Sequence, residues 1–301
     1  MEVGPKDWAE GGEEAASLAL ATGRYPSLPM IEAVENPVPQ DPLEQALWDW
    51  HRGQAKGALR LHAYSAEGIP LAEEPQVISP EVFFTQELPE VEALALDLCR
   101  GRVLDIGAGT GRHSLLLQEE GLAVAALDRS PVALRIMAER GVRCRIAADL
   151  FHWAGPEEPF DTLLLLMNGA GLVGSLAGLE RFLRLARPWI QPMGQLLLDS
   201  TELSDFGENP APLEDPLPRT PEPALPGDPE TRVLEEEGRG EVKTKVVNFV
   251  AEYNGQRGDP FPWLFVDPET LLHYAHANGW QGQILYQEPG GAFLARLTPL
   301  Y

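Results

Sequence analysis

The sequence predicts an α/β fold built on a seven-stranded, mostly parallel sheet that closes with an antiparallel C-terminal hairpin. Three observations carry this. From residue 89 onward, short apolar runs alternate with helical segments, which implies right-handed crossovers and a parallel sheet with helices on both faces. The runs are nearly continuous in apolar residues, as in strands buried on both sides. A glycine-rich turn, Gly107–Gly111, joins the first run to the helix after it.

Residues 41–57 read as a helix. Asp41 can cap it, Pro42 suits its first position, and Leu43, Ala46, Leu47 and Trp50 form one apolar face. Residues 58–80 are ambiguous, with LRLHAYS able to form a short strand. Pro89 starts a helix with Val91, Leu94, Ala95 and Leu98 on one side. The predicted strands are RVLDI (102–106), LAVAAL (122–127), RCRIA (143–147), DTLLLLM (161–167) and QLLLDS (195–200). The segments 112–120, 131–140 and 177–186 are the helices between them. Residues 242–254 and 261–266 read as late strands, inserted after the fifth core strand. Residues 267–278 read as a helix capped by Asp267. Residues 283–287 and 292–297 form a hairpin across Pro289-Gly290-Gly291.

The chain has 301 residues and a formal net charge of −23, with 44% hydrophobic residues. That composition suits a globular protein. Nucleic-acid affinity comes mainly from Lys and Arg on phosphates, so the acid excess argues against nucleic acid and against an anionic membrane surface. The charge is uneven. Residues 1–40, read as a mobile leader, carry −5, and residues 201–240, with eight prolines, carry −8. The rest is an ordinary acidic surface around one domain with appendages.

Cys99 and Cys144 have no metal spacing and read as core thiols. The N-terminus shows no basic region followed by an apolar one, so a cytoplasmic location is the default expectation. Residues 162–179 hold no charge, but four glycines and Asn168 favour a strand, a loop and a helix start over a membrane span.

The glycine loop reads Asp105-Ile106-Gly107-Ala108-Gly109-Thr110-Gly111. Ligands of open α/β sheets bind outside the carboxyl ends of the strands. A nicotinamide loop would read G-x-G-x-x-G, but Arg112 stands where the third glycine would fall. Two more acids follow. Asp128 ends the second core strand, where a carboxylate suits ribose hydroxyls. Asp149 ends the third, within reach of an adenine amino group.

With these residues in view, 89–200 resembles the class I S-adenosylmethionine (SAM)-dependent methyltransferases, and 261–301 fits that family's final helix and hairpin. The resemblance implies a Rossmann-like sheet and SAM as cofactor. Gly107, Ala108, Gly109 and Gly111 would wrap the methionine part, and Asp105 would hold its amino group. Asp128 would serve the ribose, Asp149 the adenine with Leu150 against its ring, and Arg129 beside Asp128 would also be cofactor-binding. Asn168 would lie near the transferable methyl. The phrases DPLEQALWDWHRG, LPEVEALAL, LLLLMNGAGLVG and PFPWLFVD look like a group of uncharacterised bacterial small-molecule methyltransferases.

That resemblance makes residues 41–88 an N-terminal helical lid, 89–301 the methyltransferase domain, and 201–260 a Pro-rich acidic loop plus β insertion. It implies methyl transfer to a small-molecule acceptor by in-line displacement. The rival readings are a SAM-binding sensor without catalysis and a nicotinamide-dependent oxidoreductase. An N-P-P-Y motif is absent after the fourth core strand, where the sequence is M-N-G-A; this again argues against nucleic acid.

Asn168, Asp199 and Tyr253 are the candidates on the acceptor side. Trp48, Trp50, His51, Phe83 and Phe84 read as lid or packing residues. His113 reads as a helix cap or solvated residue, with a general base as the alternative. His152 and Trp153 would flank the adenine or cover the sheet. Trp263 would share one wall of the acceptor site with Tyr253. No metal is expected.

Overall fold

The computed structural model describes residues 37–202 and 244–301. The leader expected over 1–40 lies outside the described residues except for its last four. The Pro-rich stretch 201–240 lies outside except for Thr201 and Glu202.

The chain enters through helix α1 (Pro42–His51). Asp41 caps it by accepting from the Glu44 amide at 2.9 Å, and Pro42 fills the first turn, where no amide partner is needed. Strands β1 (Leu59–Tyr64) and β2 (Gln76–Ile78) follow, then a tight turn over Pro80–Phe83 and helix α2 (Glu90–Asp97).

The main alternation then runs β3 (Arg102–Ile106), α3 (Arg112–Glu119), β4 (Ala123–Asp128), α4 (Pro131–Arg140), β5 (Cys144–Ala147), β6 (Phe160–Leu165), α5 (Leu176–Ala186) and β7 (Ile190–Thr201). After the second described stretch begins come β8 (Lys245–Tyr253), β9 (Gln256–Arg257), β10 (Phe261–Phe265), α6 (Pro268–Ala277), β11 (Trp280–Gln287) and β12 (Ala292–Pro299).

The large sheet has seven strands in the order β11-β12-β7-β6-β3-β4-β5. Strands β3, β4, β5, β6 and β7 pair in parallel, while β12 pairs antiparallel with both β7 and β11. This is the expected sheet with its closing hairpin. Its order reverses at β3, where β4 lies on one side and β6 on the other, so a crevice opens above the β3 carboxyl end. The largest core cluster joins Leu104, Ile106, Leu163, Leu196 and Phe293 to α5 and α6. Trp280 is fully buried there and donates its indole N–H to the Leu183 carbonyl at 3.0 Å.

A second, antiparallel sheet runs β10-β8-β1-β2, with β9 on β8. This corrects the expectation of a helical region over 41–88. Only α1 is a regular α-helix in its first half, and β1 and β2 belong to the same sheet as the late strands β8 and β10. The physical reason is that β1 alone has too few apolar residues to bury itself. Pairing Leu61 with Ala251 and Ala63 with Phe249 gives it a face. Leu43 on α1 packs both into this sheet's cluster with Leu59 and Tyr253 and into the cluster of Val132 and Ile136 on α4. Helix α1 thereby joins the second sheet to the flank of the large one.

Candidate functional site

The loop after β3 is fastened to β4. The amides of Gly107 and Ala108 donate to the Leu127 carbonyl at 2.8 and 3.1 Å, and the Gly111 amide donates to the Ala108 carbonyl at 2.8 Å. Two glycines serve different purposes. At Gly111, φ is +78°, and an added Cβ would meet Val142 at 2.6 Å and Met137 at 2.8 Å, so this residue lets α3 close on α4. At Gly109, φ is +54°, and a Cβ would meet only the Gly107 carbonyl at 3.9 Å. The space above Gly109 is open, as a ligand cradle requires.

The three expected carboxylates stand at three neighbouring strand ends. The two oxygens of Asp128 accept from the Gly109 amide and from the Ser130 amide, each at 2.8 Å. Asp128 therefore ties the glycine loop to the start of α4. Burial pushes its carboxyl above the usual range, against the two amides. Arg129 beside it is exposed.

Asp149 is half-exposed. Its Oδ1 accepts from the Phe151 amide at 2.9 Å and pairs with His152 at 2.8 Å. Partial burial opposes ionisation, but His152 and the amide outweigh it and hold the carboxyl below the usual range. Asp105 is buried under the loop and accepts from the Ser114 hydroxyl at 2.6 Å; burial pushes its carboxyl up.

The loop after β6 carries backbone strain. Met167 and Asn168 are consecutive non-glycine residues at φ +66° and +56°, a region that costs energy for side-chain-bearing residues. Asp199 on β7 pins this turn, accepting from the Asn168 amide at 3.0 Å and the Gly169 amide at 2.7 Å. Thr201 adds a bond to the Asn168 side-chain oxygen at 2.6 Å. Burial pushes the Asp199 carboxyl up to about 6, against those two amides. The next turn, Gly169–Val173, meets both neighbours. Leu172 lies against Gly107, and the Trp263 indole of β10 lies so close to Gly171 that a Cβ there would fall 1.9 Å from its nitrogen. The second sheet thus rests on the loop that borders the crevice.

A buried ionic group was not anticipated. Glu92 on α2 is 5% exposed and pairs with both Arg112 and His113, with His113 Nε2 at 2.6 Å. Its carboxyl is held below the usual range: burial acts against this, but His113 and Arg112 prevail. His113 is therefore neither cap nor solvated, which corrects the sequence reading. The apolar residues on α2 draw Glu92 inward with them, and the first turn of α3 supplies its counter-charges.

Arg112 also donates to the Val82 carbonyl at 2.5 Å. Arg140 donates to the Thr110 carbonyl at 2.8 Å and the Phe84 carbonyl at 3.1 Å, and the Thr110 hydroxyl bonds the Phe83 carbonyl. The turn before α2 is thus held on the glycine loop by Thr110, Arg112 and Arg140, through contacts that sequence reasoning did not anticipate. A chain of backbone acceptors leaves no signal in the sequence.

The remaining candidates separate. Ala108 packs with Ala126, Leu134 and Met137, while Leu150 and Trp153 pack on the main core, with Trp153 edge-on to Trp189 at 5.0 Å. Trp48 packs against Val132 and Ile136, and His51 stacks on Phe84 at 6.2 Å. Tyr253 is buried with Ala46 and Leu59, and its hydroxyl accepts from the Lys56 amide at 3.2 Å. Among the described residues, no group of three or more His, Cys, Asp or Glu is placed to hold a metal, and no helix is long and apolar enough to cross a membrane.

This fold and loop define a doubly wound α/β protein with an open glycine loop at its switch point, and residues 103–194 match a family described as a methyltransferase domain. A SAM-dependent methyltransferase from Bacteroides fragilis, crystallised with S-adenosylhomocysteine, is 30% identical. The match covers 88% of this chain and 98% of that one, with a TM-score of 0.67. The chain belongs to the SAM-dependent methyltransferase family. An uncharacterised methyltransferase of Mycobacterium tuberculosis is 27% identical over 128 residues, covering 36% of this chain. The chain spans about half the length of the curated relatives it matches, 51%.

Proposed function

We propose that this chain binds SAM at the carboxyl ends of β3, β4 and β5 and transfers its methyl group to a small-molecule acceptor. The observation that carries the reading is the open cradle at Gly109 with Asp128 and Asp149 at the two adjacent strand ends. The residues present fit the cofactor. Asp128 gives each oxygen to one amide, and a carboxylate has about four lone-pair sites, so two remain for ribose hydroxyls. Asp149 keeps Oδ2 clear of the bonds made by Oδ1, leaving it for an adenine amino group. Asp105, spent on Ser114, contributes negative field under the loop for an ammonium group.

Bound SAM supplies an electrophilic methyl on a sulfonium. The chain's own task is orientation. Holding an acceptor in line and near contact accounts for much of such an acceleration. Asp199 and Thr201 fix the strained Met167–Asn168 backbone beside the crevice, and Trp263 braces the next turn. A small acceptor is supported by the net charge of −23, which repels polyphosphate chains, and by the second sheet resting on the site's border.

The test is transfer of labelled methyl from SAM to a broad panel of amines, alcohols, thiols and carboxylates. Label on one acceptor class, lost in Asp128→Ala, is expected. SAM binding with no transfer across the panel would leave a SAM-binding protein without catalysis.

A further inference from the structure

Thr110 stands between Gly109 and Gly111, which lie at φ +54° and +78°. Glycine gives up more backbone freedom on ordering than any other residue. If that freedom were lost only when a cofactor arrived, binding would carry the cost. Thr110 is the one residue of this triplet with a side chain. That side chain is buried, at 3% exposure, against the turn before α2.

Three consecutive carbonyls of the turn face the loop and its flanks. Val82 accepts from Arg112 Nη1 at 2.5 Å, Phe83 accepts from the Thr110 hydroxyl, and Phe84 accepts from Arg140 Nη2 at 3.1 Å. Arg140 Nη1 reaches the loop itself, donating to the Thr110 carbonyl at 2.8 Å and to its hydroxyl oxygen at 2.9 Å. The hydroxyl thus gives its proton to Phe83 and a lone pair to Arg140, a pattern that fixes its rotation. The turn has anchors of its own. Phe84 stacks on His51 at the end of α1 and lies 5.2 Å below the Arg140 guanidinium. Phe83 packs against the clusters of Ala46 with Tyr253 and of Leu47 with Val132. Residues 82–84 are therefore held by elements outside the loop and can hold the loop in turn.

We propose that Thr110 and Arg140 are positioning residues for the cofactor: braced on carbonyls 82–84, they keep the Gly109–Gly111 backbone in its binding form before SAM arrives. This rests on the reading of the loop as the SAM cradle. Neither side chain needs to touch SAM. Folding, and not binding, then carries the cost of ordering the glycines, and the turn before α2 gains a task at the cofactor end of the site.

The test is calorimetric titration of SAM into the native chain, Thr110→Val, Thr110→Ser and Arg140→Lys, well below the unfolding temperature of each. Amide hydrogen exchange over residues 107–111 is followed in each protein, free and SAM-saturated. Thr110→Val keeps the shape and removes the hydroxyl. It should bind SAM at least fivefold more weakly, with loop amides that exchange faster in the free protein and regain protection at saturation. Thr110→Ser restores the hydroxyl and should bind within twofold of the native chain. Arg140→Lys replaces a fork with a point donor and should also weaken SAM at least fivefold. The double variant Thr110→Val/Arg140→Lys should lose less than the product of the two single losses, because the residues share a bond. Native affinity in Thr110→Val or Arg140→Lys, an equal loss in Thr110→Ser, or unchanged exchange in free Thr110→Val would overturn the proposal. SAM binding to the native chain without protection of residues 107–111 would instead overturn the cradle reading, so the two failures are told apart.

Discussion

At Gly109 and Gly111 the same substitution should do opposite things. Gly109→Ala meets open space, so its cost to stability is about 1 kcal/mol of left-handed backbone strain, yet its methyl projects where the cofactor would lie. Gly111→Ala adds a clash with Met137 and Val142 to the same strain, for a total of about 2–4 kcal/mol. Denaturant unfolding and SAM titration of the two variants should therefore rank in reverse order, with Gly109→Ala losing more SAM affinity per unit of stability lost.

Asp199 makes a pH prediction. Its folded carboxyl sits at about 6, above its ordinary value, so its contribution to stability is full when protonated and is lost as pH rises through 6. A shift of about two units corresponds to about 3 kcal/mol. The stability of Asp199→Asn relative to the native chain should accordingly improve by up to that amount between pH 4 and pH 7, measured by urea unfolding. A flat difference would show that the Asn168 and Gly169 amides keep the carboxyl at its ordinary value.

Among elements, α2 and α3 are joined by the buried charges of Glu92, Arg112 and His113. Removing one partner of a buried pair leaves the others uncompensated, so Glu92→Ala should cost about 3–5 kcal/mol in an unfolding titration. The contact between β10 and the turn after β6 has its own probe. Gly171→Ala drives a methyl into the Trp263 indole and must move it. The methyl-transfer rate should fall more than SAM affinity, since this turn borders the crevice on the side away from β4 and β5.

The elements also show what the sequence made legible. Each core strand was visible because burial on both faces leaves an apolar run, and Asp128 and Asp149 were visible because each sits between a strand end and a helix or turn. Glu92 was not visible, because an acid on a helix reads as solvated until its partners, twenty residues later, are placed beside it. The pairing of β1 with β8 was hidden too: the two strands are nearly two hundred residues apart, and neither carries a mark of the other.

For the whole molecule, the two sheets divide the work. The large sheet carries the glycine loop proposed as the cradle, and the second sheet packs on the turn after β6 beside it. Most of the net charge of −23 lies in the two stretches outside the described residues, and the domain between them is only moderately acidic. The charge therefore describes the surface and not the cradle, whose acids are individually placed. The central claim is that SAM sits at the carboxyl ends of β3, β4 and β5. The most direct measurement is calorimetric titration of SAM into the native chain and into Asp128→Ala. One saturable site, weakened at least tenfold in the variant, is the predicted result. No binding of SAM or S-adenosylhomocysteine to the native chain, or equal affinity in both proteins, would contradict it.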